Sequence, residues 1–516
     1  MIKPQKTEAE ILERREYKKE MRMIARNPDL ITFPAHIKEE LANIPETITG
    51  AEIKNRRDFR HIATCTIDPD DAKDFDDAIS FLVLPDGTKE IGIHIADVGH
   101  YVQEKTKLDK EAYKRGTSIY LTNTVVPMLP EKISNDVCSL KEKVDRLTFS
   151  VVVIFDKKDT IIHTWCGKGI IHSNKRFTYS GAQKVIDDKA GIYAEELLEL
   201  KRISGTLMKK RERDGALFLE DTEIRFTYDQ DGNPIGVQQK VRLDTMKLVE
   251  EFMLLANRTV AEQFTKDEPF VYRIHDNPDR EKLNALHDHG REYGIEIPKK
   301  LDNHTLNHLI QSIENEDLRS HFSKIIMRSM AKAVYSSNNI GHYGLAFDQY
   351  THFTSPIRRY PDLIAHRLLL DKLQHKQKPI DVREFEKKLI YLSTCERKAQ
   401  DIERASTKDM QIKYMGNFLG MERTGVVTGL TEIGIYVSDK ESLSEGFIHQ
   451  RTLGRDWKWN DKQLFWKNEK IGKIKMGDHI TFKVEKVNFD KGFIDYSLCN
   501  PVRDTQTTIS MRHSKK

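Results

Sequence analysis

Cysteine is scarce here and poorly placed for chemistry: Cys65, Cys138, Cys166, Cys395 and Cys499 lie far apart and form no CxxC pair. Such spacing implies neither a zinc site nor a disulfide framework, and it points to a reducing cytoplasm. No apolar run approaches the ~18 residues of a membrane span. The charged start MIKPQKTEAEILERREYKKEM has no apolar stretch of a secretory leader. The sequence therefore reads as cytoplasmic, without membrane association. An excess of one charge is also missing, since 84 Lys and Arg against 80 Asp and Glu leave +4. Net charge alone announces no nucleic-acid binder, so any basic surface has to be local. No internal repeat is visible.

What is present is a charge-rich chain of 516 residues, 38% of them hydrophobic. At about 150 residues per domain this suggests roughly three cores, or one large mixed domain with small modules. Residues 7–26 read as an exposed helix with a solvated charged surface, opened by a Thr7/Glu10 capping box and ended at Asn27-Pro28. From about 61 to 415, strand-like and helix-like stretches alternate without a clean linker. IGIHIADV (91–98) alternates as a half-buried strand, and Val249, Phe252, Met253, Ala256, Val260 and Phe264 recur at helical spacing. From about 421, short strands broken by glycines predict a small Greek-key barrel of the OB type. A loop carrying Trp457, Trp459 and Trp466 interrupts it, and a short basic tail ends the chain.

The densest feature is TIDPDDAKDFDDAIS (66–80), with six aspartates between positions 68 and 77. Unit charges about 4 Å apart repel by ~1 kcal/mol even in water, so a compensating charge is expected. Flanking Ile67, Ile79 and Phe81 anchor the segment in the fold. A calcium loop starting at Asp68 would need glycine and glutamate where Lys73 and Ile79 stand, which excludes it. A solvated acidic turn and a metal-dependent phosphodiester site both remain open.

A second constellation lies in GHYGLAFDQYTHFTSPIRRYPDLIAHRLL (341–369). Ser355-Pro356 predicts a capped helix start with Arg358 and Arg359 in its first turn. Arginines there are unfavourable unless an anion is near, either a phosphate or the aspartate cluster. One of the two could instead pair with a structural acid such as Asp362.

These stretches resemble the signature of the RNB catalytic domain shared by ribonuclease II, ribonuclease R and their eukaryotic exosome relatives. RRDFRHIATCTIDPDDAKDFDDAIS, IGIHIADVGHYV, YLTNTVVPMLPEKISNDVCSL, LVEEFMLLAN and HFTSPIRRYPDLIAHR stand in the family's order. The terminal segment is similar to the OB-fold RNA-binding domain of the first small-subunit ribosomal protein. The fold the resemblance implies is a mixed α/β (α+β) RNB catalytic domain followed by a small all-β OB-fold barrel. Its expected segments are a helical lead-in at 1–54, the catalytic domain at 55–415, the barrel at 421–500 and the tail at 501–516.

The implied activity is processive 3′→5′ hydrolysis of single-stranded RNA to nucleoside 5′-monophosphates by a monomer, with magnesium as cofactor and manganese as substitute. Asp68, Asp74 and Asp77 match the family's metal-holding aspartates, Asp76 the aspartate most critical for cleavage, and Arg358 the arginine that grips the scissile phosphate. Tyr120 matches the clamp on the terminal base and Phe218 the opposing aromatic. Tyr179, Glu250 and Glu403 match residues lining the same cavity, with Glu250 rather than Glu251 facing it. His94, His275 and His366 are expected to be structural. The family's two cold-shock-type barrels have no room before residue 55, so weaker RNA binding and readier passage of structured RNA are expected. A catalytically silent RNA-binding protein and an endoribonuclease are the rival readings, and partners in RNA decay are unknown.

Overall fold

The computed structural model describes residues 8–28, 31–219, 223–293, 295–460 and 465–500. Thr7, and with it the expected capping box, lies outside these, as does the tail from 501. The strands are β1 (Arg57–Asp58), β2 (Thr64–Asp68), β3 (Asp77–Val83), β4 (Lys89–Ala96), β5 (Ile119–Tyr120), β6 (Val125–Val126), β7 (Asp145–Phe155), β8 (Ile161–His172) and β9 (Lys175–Thr178). Hairpin β10 (Ile224–Tyr228)–β11 (Pro234–Gln239) and the pair β12 (Tyr272–Ile274)–β13 (Val334–Ser336) follow.

Seven strands form the main sheet in the order β1-β8-β7-β4-β3-β2-β9, which puts β4 at its centre. The expected half-buried strand is therefore buried on both faces. Ile91, Ile93 and Ile95 fill one side, while His94 on the other stands 2.8 Å from the hydroxyls of both Ser80 and Ser150. Gly92 has room for no side chain, because a Cβ would come within 2.4 Å of Ser80 Oγ.

Helix Asp244–Ala261 packs on this sheet through Val249, Phe252, Ala256 and Val260, following its apolar spacing. Helix Val382–Gly416, 35 residues and therefore about 52 Å long, buries Phe385, Leu389 and Leu392 in the main core and Ile412 and Met415 in the second one. One continuous helix thus joins the two cores, which is why no linker shows in the sequence.

The second core fills a closed barrel, β14-β15-β16-β21-β20, made of β14 (Glu422–Thr431), β15 (Gly434–Asp439), β16 (Glu445–His449), β20 (His479–Asn488) and β21 (Phe493–Asn500). The expected tryptophan loop is instead a three-stranded sheet of β17 (Trp457–Asn460), β18 (Phe465–Asn468) and β19 (Gly472–Ile474). Trp466 is wholly buried there, because its ring completes the barrel core.

Helix Glu8–Arg26 also departs from expectation. Its Met21 is buried with Leu121, Val126 and Ile402, and Arg22 and Arg26 both reach the buried Asp409. The mixed charges therefore dock the helix on Val382–Gly416 rather than simply solvating it. Among the described residues, no helix is long and apolar enough to cross a membrane.

Candidate active site

β2 ends on Asp68 and its antiparallel neighbour β3 begins on Asp77, so the loop between them holds the carboxylates at the end of the sheet. That loop is pinned. Phe75 N–H donates to Ser139 Oγ at 3.1 Å, Ser139 Oγ donates to the Lys73 carbonyl at 2.7 Å, and Leu140 N–H donates to the Phe75 carbonyl at 3.0 Å. Arg176 Nη2 closes it further by donating to the carbonyls of Pro69 and Asp70. No motif marked Arg176, since its role depends on β9 lying parallel to β2.

Asp76 is the most buried of the group, 4% exposed. Its Oδ1 accepts from Ile357 N–H at 2.9 Å and its Oδ2 from Arg358 Nε at 3.3 Å. Burial pushes its carboxyl well above the usual range; Arg358 and the Ile357 bond oppose this, and Asp74 and Asp77 add to it. Burial likewise raises Asp68 and Asp77, with Asp76 and Asp74 adding to the first and Asp68 to the second. Half-buried Asp74 accepts from the Tyr120 hydroxyl at 3.2 Å.

Arg358 does not sit in a first helical turn. Residues 355–358 make a turn, and the helix runs Tyr360–Leu373 with Pro361 near its start. The reason is Asp362, whose Oδ1 accepts both Ser355 N–H at 2.8 Å and Arg359 Nη2 at 2.7 Å. Arg359 thus pairs with the structural acid, and Arg358 is left to Asp76. The Arg358 carbonyl accepts from Ser118 N–H and Thr117 Oγ1, which ties the turn to the segment leading to Tyr120.

Tyr120 is 39% exposed, and its N–H donates to Glu403 Oε1 at 2.8 Å, from helix Val382–Gly416. Tyr179 follows Thr178, the register partner of Asp68, and feels the charges of Asp77, Asp68, Arg358 and Glu250. Glu251 is buried on Arg211, whereas Glu250 is half exposed and pairs with Arg242. Phe218 lies under the Arg211 guanidinium, 4.7 Å from ring centroid to Cζ. His94, His275 and His366 are all engaged in internal hydrogen bonds.

Among the described residues, no three His, Cys, Asp or Glu side chains converge as a preformed metal cage. The donors nonetheless suit a hard cation. Asp68 Oδ2 is buried without a hydrogen-bond partner, and buried carboxylates repel one another beside it. Magnesium binds through one or two carboxylates plus substrate phosphate, so an incomplete protein shell is what it uses.

The RNB domain family model matches residues 56–375 and the S1 RNA binding domain model residues 417–498. Ribonuclease R of Thermotoga maritima is 36% identical over 489 residues, covering 91% of this chain and 69% of that protein. Ribonuclease R 1 of Lactococcus lactis is 36% identical over 480 residues, and there the chain spans only 59% of the relative. Mycoplasma genitalium RNase R, solved with ribose-methylated single-stranded RNA, superposes with TM-score 0.83 at 27% identity, over 91% of this chain and 76% of that one. The fold is shared with yeast Ssd1, a pseudonuclease, at TM-score 0.68 and 21% identity over 82% of this chain and 54% of that one.

Proposed function

We propose, on the premise that this chain belongs to the RNB family and is an exoribonuclease of the ribonuclease R type, that it degrades single-stranded RNA processively from the 3′ end to nucleoside 5′-monophosphates. The observation that supports this most is the meeting of Asp76 with Arg358 from 282 positions away, beside an unpartnered Asp68 oxygen. A fold can carry such a domain without the chemistry, so the reading rests on these side chains rather than on the fold.

Asp68, Asp74 and Asp77 would hold divalent metal, magnesium or its substitute manganese. Bound as a pair of ions, the metal supplies Lewis acidity toward the phosphate and water. Arg358, with 43% of its side chain exposed, keeps guanidinium donors free for the scissile phosphate. Asp76, buried between that arginine and two further carboxylates, is placed to orient the attacking water. Tyr120 and Phe218 would stack bases, at about 1–3 kcal/mol per base and without sequence preference. Tyr179, Glu250 and Glu403 offer polar groups to the ribose, where the 2′-OH distinguishes RNA from DNA. On the barrel, Tyr436 and Phe447 (4.8 Å between ring centroids) with His449 add a ring surface for RNA. We place the protein in the cytoplasm as a monomer, a setting in keeping with its five free cysteines.

The deciding experiment follows end-labelled single-stranded RNA with magnesium or with chelator, beside a circular RNA of the same sequence. Mononucleotides released from the 3′ end only with metal, and an untouched circle, are expected. Cleavage of the circle would reveal an endonuclease, and binding without any loss of RNA would leave a silent RNA-binding protein.

A further inference from the structure

The small sheet β17–β18–β19 has two unlike faces. Trp457, Trp466 and Ile474 are buried on one, against the barrel core, and Trp466 Nε1 donates to the Thr431 carbonyl at 3.1 Å. On the other, the register sets Lys458 opposite Lys467 and Lys467 opposite Lys473, so three lysines stand in one row across the sheet. Lys458 and Lys473 are exposed and Lys467 half-buried. Like charges directly opposite one another destabilise a sheet. Among the described residues, the one acid paired with the row is the exposed Glu469, 2.9 Å from Lys467. A single carboxylate against three ammoniums leaves the row positive. Lys473 Nζ also lies 4.6 Å from the Phe465 ring centroid, which holds its stem along the sheet.

We infer that this lysine row is a track for the phosphodiester backbone of RNA, outside the catalytic centre and separate from the ring surface of Tyr436, Phe447 and His449. The inference rests on the exoribonuclease reading above. Strands about 4.8 Å apart make the row about 10 Å long. That length lets the row meet about two or three consecutive phosphates of one strand. Ammonium groups read charge and not base identity, which suits an enzyme that takes any sequence.

The test uses the full chain as wild type, as Lys458→Ser/Lys473→Ser and as Lys458→Arg/Lys473→Arg. Binding of a long single-stranded RNA is measured across a salt series with the reaction halted by chelator. Loss of two phosphate contacts should lower the log–log salt slope by about 1.4 and weaken binding about 25-fold near 0.1 M salt, at ~0.7 per contact. The arginine variant should keep both. Single-stranded DNA of equal length should lose affinity by the same factor, and a short oligonucleotide should be degraded as before. Thermal stability of the serine variant should hold or rise, since repulsion is removed. An unchanged slope, or an equal loss for short and long RNA, would overturn the track; a loss on RNA but not on DNA would overturn the backbone reading. If wild type degrades no RNA at all, the exoribonuclease reading falls, while the binding arm still tests the lysines.

Discussion

Replacing Asp76 by asparagine removes one negative charge while keeping the side chain's shape and its acceptor for the Ile357 N–H. Two opposing effects on stability can be weighed. Burial and the neighbouring aspartates push the Asp76 carboxyl well above its usual range, so its ionised form is disfavoured in the folded state above the unfolded carboxyl pKa. Each unit of such a shift corresponds to about 1.4 kcal/mol, which the amide no longer loses. Against this stands the bond from Arg358 Nε, long at 3.3 Å, where a charge-assisted bond contributes about 1.5–3 kcal/mol. The two act in opposite directions, so any loss of stability should stay below the about 3 kcal/mol of that bond. Activity should behave differently. Loss of a preorganised charge beside the reacting phosphate costs about 10²–10³ in kcat, or about 3–4 kcal/mol. RNA affinity should hold or tighten, because one anion facing the phosphate is gone. Calorimetry, single-turnover decay of tailed RNA and equilibrium binding measure the three quantities separately. A rate within ten-fold of wild type would refute a catalytic Asp76, and a stability loss beyond about 3 kcal/mol would make it a structural residue.

Arg211→Ala leaves the buried Glu251 carboxylate without its partner and should cost roughly 3–5 kcal/mol by urea unfolding, whereas Glu250→Gln should cost under about 1 kcal/mol and act on KM. Trp466→Ala empties the barrel core and should destabilise it by about 3–5 kcal/mol, read by loss of affinity for long RNA with short substrates still degraded. Asp159 and Glu199 are held down to about 2, first by Arg202 hydrogen bonds and then with Lys89 helping, against ordinary values of 3.8 and 4.5. Depressed carboxyls stabilise the fold above their unfolded pKa and lose that contribution as pH falls. Stability should therefore drop between about pH 4.5 and 2, and an Asp159→Asn/Glu199→Gln variant should show a shallower drop in acid-unfolding midpoints.

Local density and local period were enough for several features. The aspartate cluster is legible because its charges crowd ten positions, and helix Asp244–Ala261 because its apolar residues recur every three or four. The OB barrel shows through glycine-broken strands. What local pattern cannot carry is a partner's identity. Ser355-Pro356 has the grammar of a helix start, yet Asp362, seven positions after Ser355, takes the Ser355 N–H and the helix begins at Tyr360. The tryptophans read as loop because their pairing depends on β18 and β19 folding back over the barrel. The charges of helix Glu8–Arg26 read as solvated because Asp409 lies 387 positions from Arg22. The same holds for Arg176, for the division between Glu250 and Glu251, and for Arg359 leaving Asp76 to Arg358. The sequence alone determined where the acidic cluster and the apolar faces lie, since charge and periodicity are written locally. Only tertiary packing decided which of them meet, because burial and ion pairing are settled by residues hundreds of positions apart.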